Sequence, residues 1–169
     1  MRTVLVTGAA RGIGRAIAGD LATDHAVAVT HNTTPPDALL AEHPAIHAIH
    51  ADLSDQTTAP GIIDAVIAKF GRLDVIVNNA GAIEMDDGNA HLNHAVNVAA
   101  PMALLTAALP HQSAGATIVN ISFHQRHPAR QGRGVLFCQQ GRAEPVDPRN
   151  GQRAGPARHP RQRRRSRRN

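Results

Sequence analysis

A short apolar strand, Val4-Leu5-Val6, runs straight into Thr7-Gly8-Ala9-Ala10-Arg11-Gly12-Ile13-Gly14, and helical spacing then begins at Ile13, Ile17 and Leu21. Few architectures accept a strand that turns through three glycines into a helix. The turn must bring backbone close to something, since glycine carries no side chain to keep it away. The helix start offers N–H groups without intrahelical partners and the positive end of the helix dipole, an arrangement suited to an anion. This opening constrains the fold more than any other feature of the chain.

The elements that follow keep the same alternation. Ala26–Thr30 reads as a second strand, and Pro35-Pro36 opens a short helix through Leu39 and Leu40. Ile46–Ala51 is a third strand. Ile62, Ile63, Val66, Ile67 and Phe70 recur at helical spacing up to Gly71. Leu73–Val77 is a fourth strand, Leu92 to Leu109 a long helix despite Pro101, and Thr117–Ile121 a fifth strand. Short strands alternating with helices predict an α/β fold, a doubly wound parallel sheet with helices on both faces.

Charge divides the chain in two. Residues 1–122 hold 5 basic and 11 acidic residues, a net charge of −6, whereas residues 123–169 hold 13 arginines and 2 acids, a net of +11. The second segment is Arg, Gln, Gly and Pro with few apolar residues, too little to offset the entropy of ordering. It is expected to be a disordered basic tail after an incomplete domain at 1–122. The sole cysteine, Cys138, falls in that tail, leaving no disulfide or cysteine-based metal site. Val4-Leu5-Val6 is too short for a secretory core, and no apolar run suggests the roughly 20 residues of a membrane span. A cytoplasmic location and no membrane partner are the expectation. His43, His47 and His50 suggest a metal at first sight, but His47 and His50 fall on opposite faces of a strand, so no metal site is expected. Asp86-Asp87 reads as a solvated loop.

Four motifs stand in a telling order: Thr7-Gly8-x-x-x-Gly12-x-Gly14 after the first strand, Asp52-Leu53 after the third, Asn78-Asn79-Ala80-Gly81 after the fourth, and Asn97 within the long helix. In this order the first 122 residues resemble the short-chain dehydrogenase/reductase family, particularly its 3-oxoacyl-carrier-protein reductase-like members. The resemblance implies a Rossmann-type sheet that carries an NAD(P)(H) cofactor for hydride transfer between small carbonyl and alcohol substrates. It assigns cofactor contacts to Thr7, Gly8, Arg11, Gly12, Ile13, Gly14, His31, Asn32, Asp52, Leu53, Asn79, Ala80 and Gly81. Asp52 would bond the adenine amine, although an aspartate at a strand end equally caps the chain from Ser54 onward. Asn78 and Asn79 would brace the sheet and line the adenine ribose. Asn97 would hold a water of the proton relay.

The second strand ends Val29-Thr30-His31-Asn32-Thr33 with no acid to bind a ribose 2′-hydroxyl, and Arg11 stands in the glycine loop. Both features favour NADP(H) over NAD(H).

The family's chemistry rests on a serine and a Tyr-x-x-x-Lys motif, and here the likeness breaks off. The chain contains no tyrosine, and its one lysine, Lys69, precedes the Asn-Asn-Ala-Gly motif. Ser122 stands one place before the family's catalytic serine, where this chain has Phe123. Read one base later, however, codons 136–141 permit Tyr-Ser-Ala-Ser-Lys, and codon 123 permits a serine 13 codons upstream of that tyrosine. Arg142 to Gly151 and Arg158 to Ser166 permit a family-like helix and strand in the same frame. A single frameshift at or just after Ser122 is therefore expected, leaving a chain without its relay and without the family's usual oligomer interface. It would also leave the fifth strand as an open edge. A rival reading has Arg161 to Arg168 grip nucleic acid through phosphates. The tail has no aromatic but Phe123 and Phe137 for stacking, and the shifted frame accounts for its arginines, so nucleic acid is not the expected partner.

Overall fold

The computed structural model describes residues 1–83 and 90–122. Asp86-Asp87, Cys138 and the whole basic segment from Phe123 onward, with its expected disorder and its shifted-frame motifs, lie outside the described residues. The order is β1 (Thr3–Val6), α1 (Gly12–Leu21), β2 (Ala26–His31), α2 (Asp37–Glu42), β3 (His47–His50), α3 (Ala59–Phe70), β4 (Val75–Asn78), α4 (Ala90–His94), α5 (Ala100–Ala108) and β5 (Thr117–Asn120). All strand pairs are parallel, in the order β3-β2-β1-β4-β5. Each predicted strand and helix is present, with ends that coincide or are displaced by at most three residues.

The central strands β1, β2 and β4 are buried on both faces because alternate side chains feed two cores. Val4, Val6, Val27, Val29 and Val77 face Ala18 of α1 and Leu39 of α2. Leu5, Ala28 and Ile76 face Ile62, Ile63 and Val66 of α3 and Leu104 of α5. Pro60 stands in the first turn of α3, where a missing N–H costs nothing. Gly71 ends that helix in the left-handed region, its N–H returning to the Ile67 carbonyl at 2.7 Å.

At the start of α1, Ile13 is 63% exposed, and Gly14 and Ala18 are the buried positions. Two sequence expectations need correction. The long helix is not uniform: Ala95–Ala99 forms a π-helical turn between α4 and α5, with the Ala100 N–H bonded to the Ala95 carbonyl. Pro101 has no N–H to continue an ordinary ladder, and the widened turn just before it takes up the mismatch. Finally, the continuous helix His91–His111 does reach 21 residues and is apolar enough to pass for a membrane span by length and composition. Its Ala100, Leu104 and Ala108 nevertheless pack in the core against α3.

Asp74 locks the base of the sheet. Its Oδ2 accepts from the Thr3 N–H at 2.8 Å, and Arg72 grips both carboxylate oxygens at 2.9 and 2.6 Å. The hydrogen bonds from Arg72, with the Thr3 N–H and the charges of Arg72 and Arg2, hold the carboxyl below the usual carboxylate range against the opposing effect of burial. A depressed carboxyl stabilises the fold above its unfolded value of about 3.9, and that contribution is lost as pH falls through the folded value. Asp74→Asn is therefore expected to cost about 1–3 kcal/mol at pH 7. The difference between parent and variant should shrink as denaturation is followed from pH 7 down past pH 4. An unchanged difference across that range would remove the carboxylate from the account.

Candidate functional site

The winding direction of the sheet reverses between β1 and β4, and a crevice opens there at the carboxyl ends of the strands. The cleft, of about 530 Å³, is lined by the glycine loop, by Thr30–Thr34, by Ala51–Leu53, by Asn79–Ala82, and by Leu92 and Val96. It thus gathers Gly8, Arg11, Gly12, Ile13, Gly14, His31, Asn32, Asp52, Leu53, Asn79, Ala80 and Gly81 from four separate stretches of sequence.

The loop is held open by a net of hydrogen bonds from the strands beside it. The Thr7 hydroxyl accepts from the N–H groups of both Asn79 and Ala80, each at 3.0 Å. Asn79 Nδ2 donates to the carbonyls of Thr7 and Gly8 at 2.9 and 3.1 Å. The Gly8 N–H donates to the Thr30 hydroxyl at 3.2 Å, and the Ala9 N–H to the Thr30 carbonyl at 3.1 Å. Beneath the cleft, Asn78 Nδ2 donates to Asn120 Oδ1 at 2.8 Å and ties β4 to β5.

Two glycines are obligatory for this packing. Gly8 has φ +67°, and a Cβ there would lie 2.8 Å from the Ala80 Cα. A Cβ on Gly14 would collide with Asn79 Nδ2 and come within 2.7 Å of the Gly8 carbonyl oxygen. Gly12 also has positive φ, but a Cβ there would meet nothing within 4 Å. Its open side is the side a ligand would approach. At the start of α1 no side chain caps the first turn and no acid stands in it, which leaves its N–H groups without a side-chain partner among the described residues. Arg11 is exposed at the rim, and among the described residues no carboxylate forms an ion pair with it. These features fit a pyrophosphate.

Some assigned residues do other work. Thr7 does not line the cleft: it is buried, and its hydroxyl braces the segment across from it. Asn97 is also absent from the lining. Its Oδ1 accepts from the Ala82 N–H at 2.9 Å and its Nδ2 donates to the Ala82 carbonyl at 2.8 Å, so the amide pairs with both backbone polar groups of one residue, as a neighbouring strand would. Ser122 is exposed just beyond β5, outside the cleft. Lys69 is exposed on α3, also away from it. Asp52 adopts the capping role left open by the sequence, with Oδ1 accepting from the Ser54 N–H at 2.9 Å, while its side chain still lines the cleft. His47 and His50 do face opposite ways: the His47 ring packs edge-on against Phe70, and the His50 ring against His31.

Sequence reasoning missed Ala10, Thr30, Thr33, Thr34, Ala51, Ala82, Leu92 and Val96 as lining residues. Leu92 and Val96 carried a signal, their i, i+4 spacing, which reads equally well as core. The small residues carried none.

The model of the short chain dehydrogenase family matches residues 2–131. An oxidoreductase of Methylorubrum extorquens is 35% identical over 134 residues, covering 72% of this chain and 54% of the relative. A 3-oxoacyl-[acyl-carrier-protein] reductase of Staphylococcus aureus is 41% identical over 87 residues, 47% of this chain and 35% of the relative. Among solved structures, a short chain dehydrogenase from Burkholderia cenocepacia in complex with NADP superposes with a TM-score of 0.65 at 35% identity, covering 70% of this chain and 54% of that one. The chain spans about half the length of the longest-matching of these curated relatives. With a family model over most of its sequence and the same sheet beneath it, this chain belongs to the short chain dehydrogenase family.

Proposed function

We propose that this chain is an NADP(H)-binding member of its family that lacks the catalytic relay in its present form. The observation that carries the cofactor reading is the rim of the cleft. Arg11 stands there free of any ion pair among the described residues, and the lining from Thr30 to Thr34 contains no acid. A free guanidinium suits a 2′-phosphate, and the absence of a carboxylate removes both the usual partner of a ribose 2′-hydroxyl and the repulsion a phosphate would meet. The uncapped start of α1 and the backbone of Gly8 and Gly12 would receive the pyrophosphate, and Asp52 would meet the adenine. Bound there, the nicotinamide group supplies or accepts a hydride in active relatives.

The proton step needs a hydroxyl with a cation beside it, and no tyrosine exists anywhere in the chain to supply one. The functional unit is residues 1–122, and residues 123–169 are the product of a shifted reading frame that adds no chemistry. In the unshifted frame the substrate would be a small carbonyl or alcohol, of the kind a 3-oxoacyl-carrier-protein reductase handles.

Titration of the full chain with NADPH and with NADH, followed by calorimetry, tests the cofactor reading. NADPH is expected to bind the more tightly, and Arg11→Ala to weaken NADPH about tenfold with little change for NADH. Tighter binding of NADH, or equal loss of both in the variant, would reject it.

A further inference from the structure

At the end of the cleft nearest β3, two imidazoles meet across neighbouring strands. His31 closes β2 and His50 closes β3, and the parallel register sets them directly opposite each other. Register partners share a face of the sheet, so both rings emerge on the side of α1 and the glycine loop. Their centroids lie 5.4 Å apart with the planes tilted by 60°. His31 lines the cleft, whereas His50 is exposed and lies outside the lining. The only hydrogen bond on the His31 ring among the described residues is a long one, Nδ1 to the Asn32 carbonyl oxygen at 3.4 Å. That contact is too long to fix a ring by itself, so the tilted packing on His50 is the main restraint on where His31 points.

Resting on the NADP(H) reading above, we propose that His50 is a positioning residue that holds the His31 imidazole toward the cofactor's 2′-phosphate. Neither its place outside the cleft nor the motifs in the sequence assign it to the site. The other charged or titratable groups lining this end are Arg11 from the loop and Asp52 after β3. Arg11 supplies charge on a long flexible stem. His31 supplies an N–H donor on a short one, and a short donor discriminates between a phosphate and a hydroxyl only if its direction is fixed. Packing against a second ring fixes it. Among the described residues nothing else requires a ring at position 50: the residue is exposed, and its strand neighbour His47 packs against Phe70 on the opposite face.

The test compares NADPH with NADH, which differ only by the 2′-phosphate, on the full chain and on His31→Ala, His50→Ala and His50→Phe. The ratio of the two affinities is the quantity read, since a purely structural disturbance moves both ligands together. His50→Ala is expected to lower the preference for NADPH about fivefold with NADH affinity unchanged. His50→Phe keeps a ring to pack against and should retain the parent ratio, and His31→Ala should lower it at least as far as His50→Ala. If His31→Ala lowers the ratio and His50→Ala does not, the positioning role fails while the NADP(H) reading stands. If His50→Ala weakens both ligands equally, the pair is a structural contact and the proposal is overturned. A parent chain that shows no preference for NADPH overturns the cofactor reading and this proposal with it.

Discussion

Offered NADPH and a panel of small ketones, the chain is expected to show no turnover, and the same gene read one base on after Ser122 is expected to show it. A positioned acid–base group contributes roughly 10²- to 10⁴-fold in rate. In the relay that family membership implies, a tyrosine moves the substrate's proton and a neighbouring lysine makes it acidic enough to do so. This chain has no tyrosine, and Lys69 is exposed on α3, outside the cleft. No described residue replaces the pair: Ser122 lies beyond β5 outside the cleft, and the amide of Asn97 is spent on Ala82. Removing one base near codon 123 is expected to restore a serine at that codon and the Tyr-Ser-Ala-Ser-Lys run that codons 136–141 permit, without touching the cleft. Steady-state oxidation of NADPH by the two proteins, side by side, is the measurement. Ordinary turnover by the present chain would refute the loss of the relay. Inactivity of the restored frame, with NADPH still bound, would refute the shift as its cause.

The second large effect separates scaffold from ligand contact within one loop. Gly8→Val places a β-branched side chain at φ +67° with its Cβ 2.8 Å from the Ala80 backbone. Strain and overpacking together are expected to cost about 3 kcal/mol or more. The segment displaced is the one that Thr7 and Asn79 hold in place, so stability and NADPH binding should fall together. Gly12→Ala also puts a side chain at positive φ, at a cost of about 1–2 kcal/mol, but its Cβ meets no protein atom. Its methyl projects to the side from which a pyrophosphate must approach. Gly12→Ala is therefore expected to keep the parent's circular-dichroism spectrum, to lose only that backbone cost in denaturation, and to lose about tenfold or more in NADPH affinity. If Gly12→Ala binds as the parent does, the loop does not take the pyrophosphate at that glycine. If Gly8→Val stays stable, the close approach to Ala80 is not the constraint that the distance implies.

Much of the fold was legible because its signals are local. An unbroken apolar run in β1 and a period of three to four in α3 are set by the burial and geometry of each element, and those elements appear where the pattern put them. Gly8 and Gly14 were legible for a related reason: a strand that turns sharply into a helix leaves no room for side chains at those points. Asn79, Ala80 and Gly81 were named through the resemblance of the Asn-Asn-Ala-Gly motif to the family, and the fold brings all three to the lining of the cleft.

What each side chain does once it arrives was decided by contacts between segments far apart in sequence. Thr7 and Asn79 are separated by 72 residues and hold each other through the Asn79 N–H and side-chain amide. No local pattern distinguishes a threonine that lines a cleft from one that braces it. The resemblance gave Asn97 a place in a relay, and only the fold showed that its side-chain amide bonds the N–H and carbonyl of Ala82. The opposition of His31 and His50 exists only because β2 and β3 pair in one register, and a slip of a single residue would turn those rings to opposite faces. By itself the sequence determined which segments become strands and helices, because that choice is made over a few neighbouring residues. The tertiary structure decided which of the chosen side chains face the cleft, because that depends on register and packing between strands that meet only when the sheet closes.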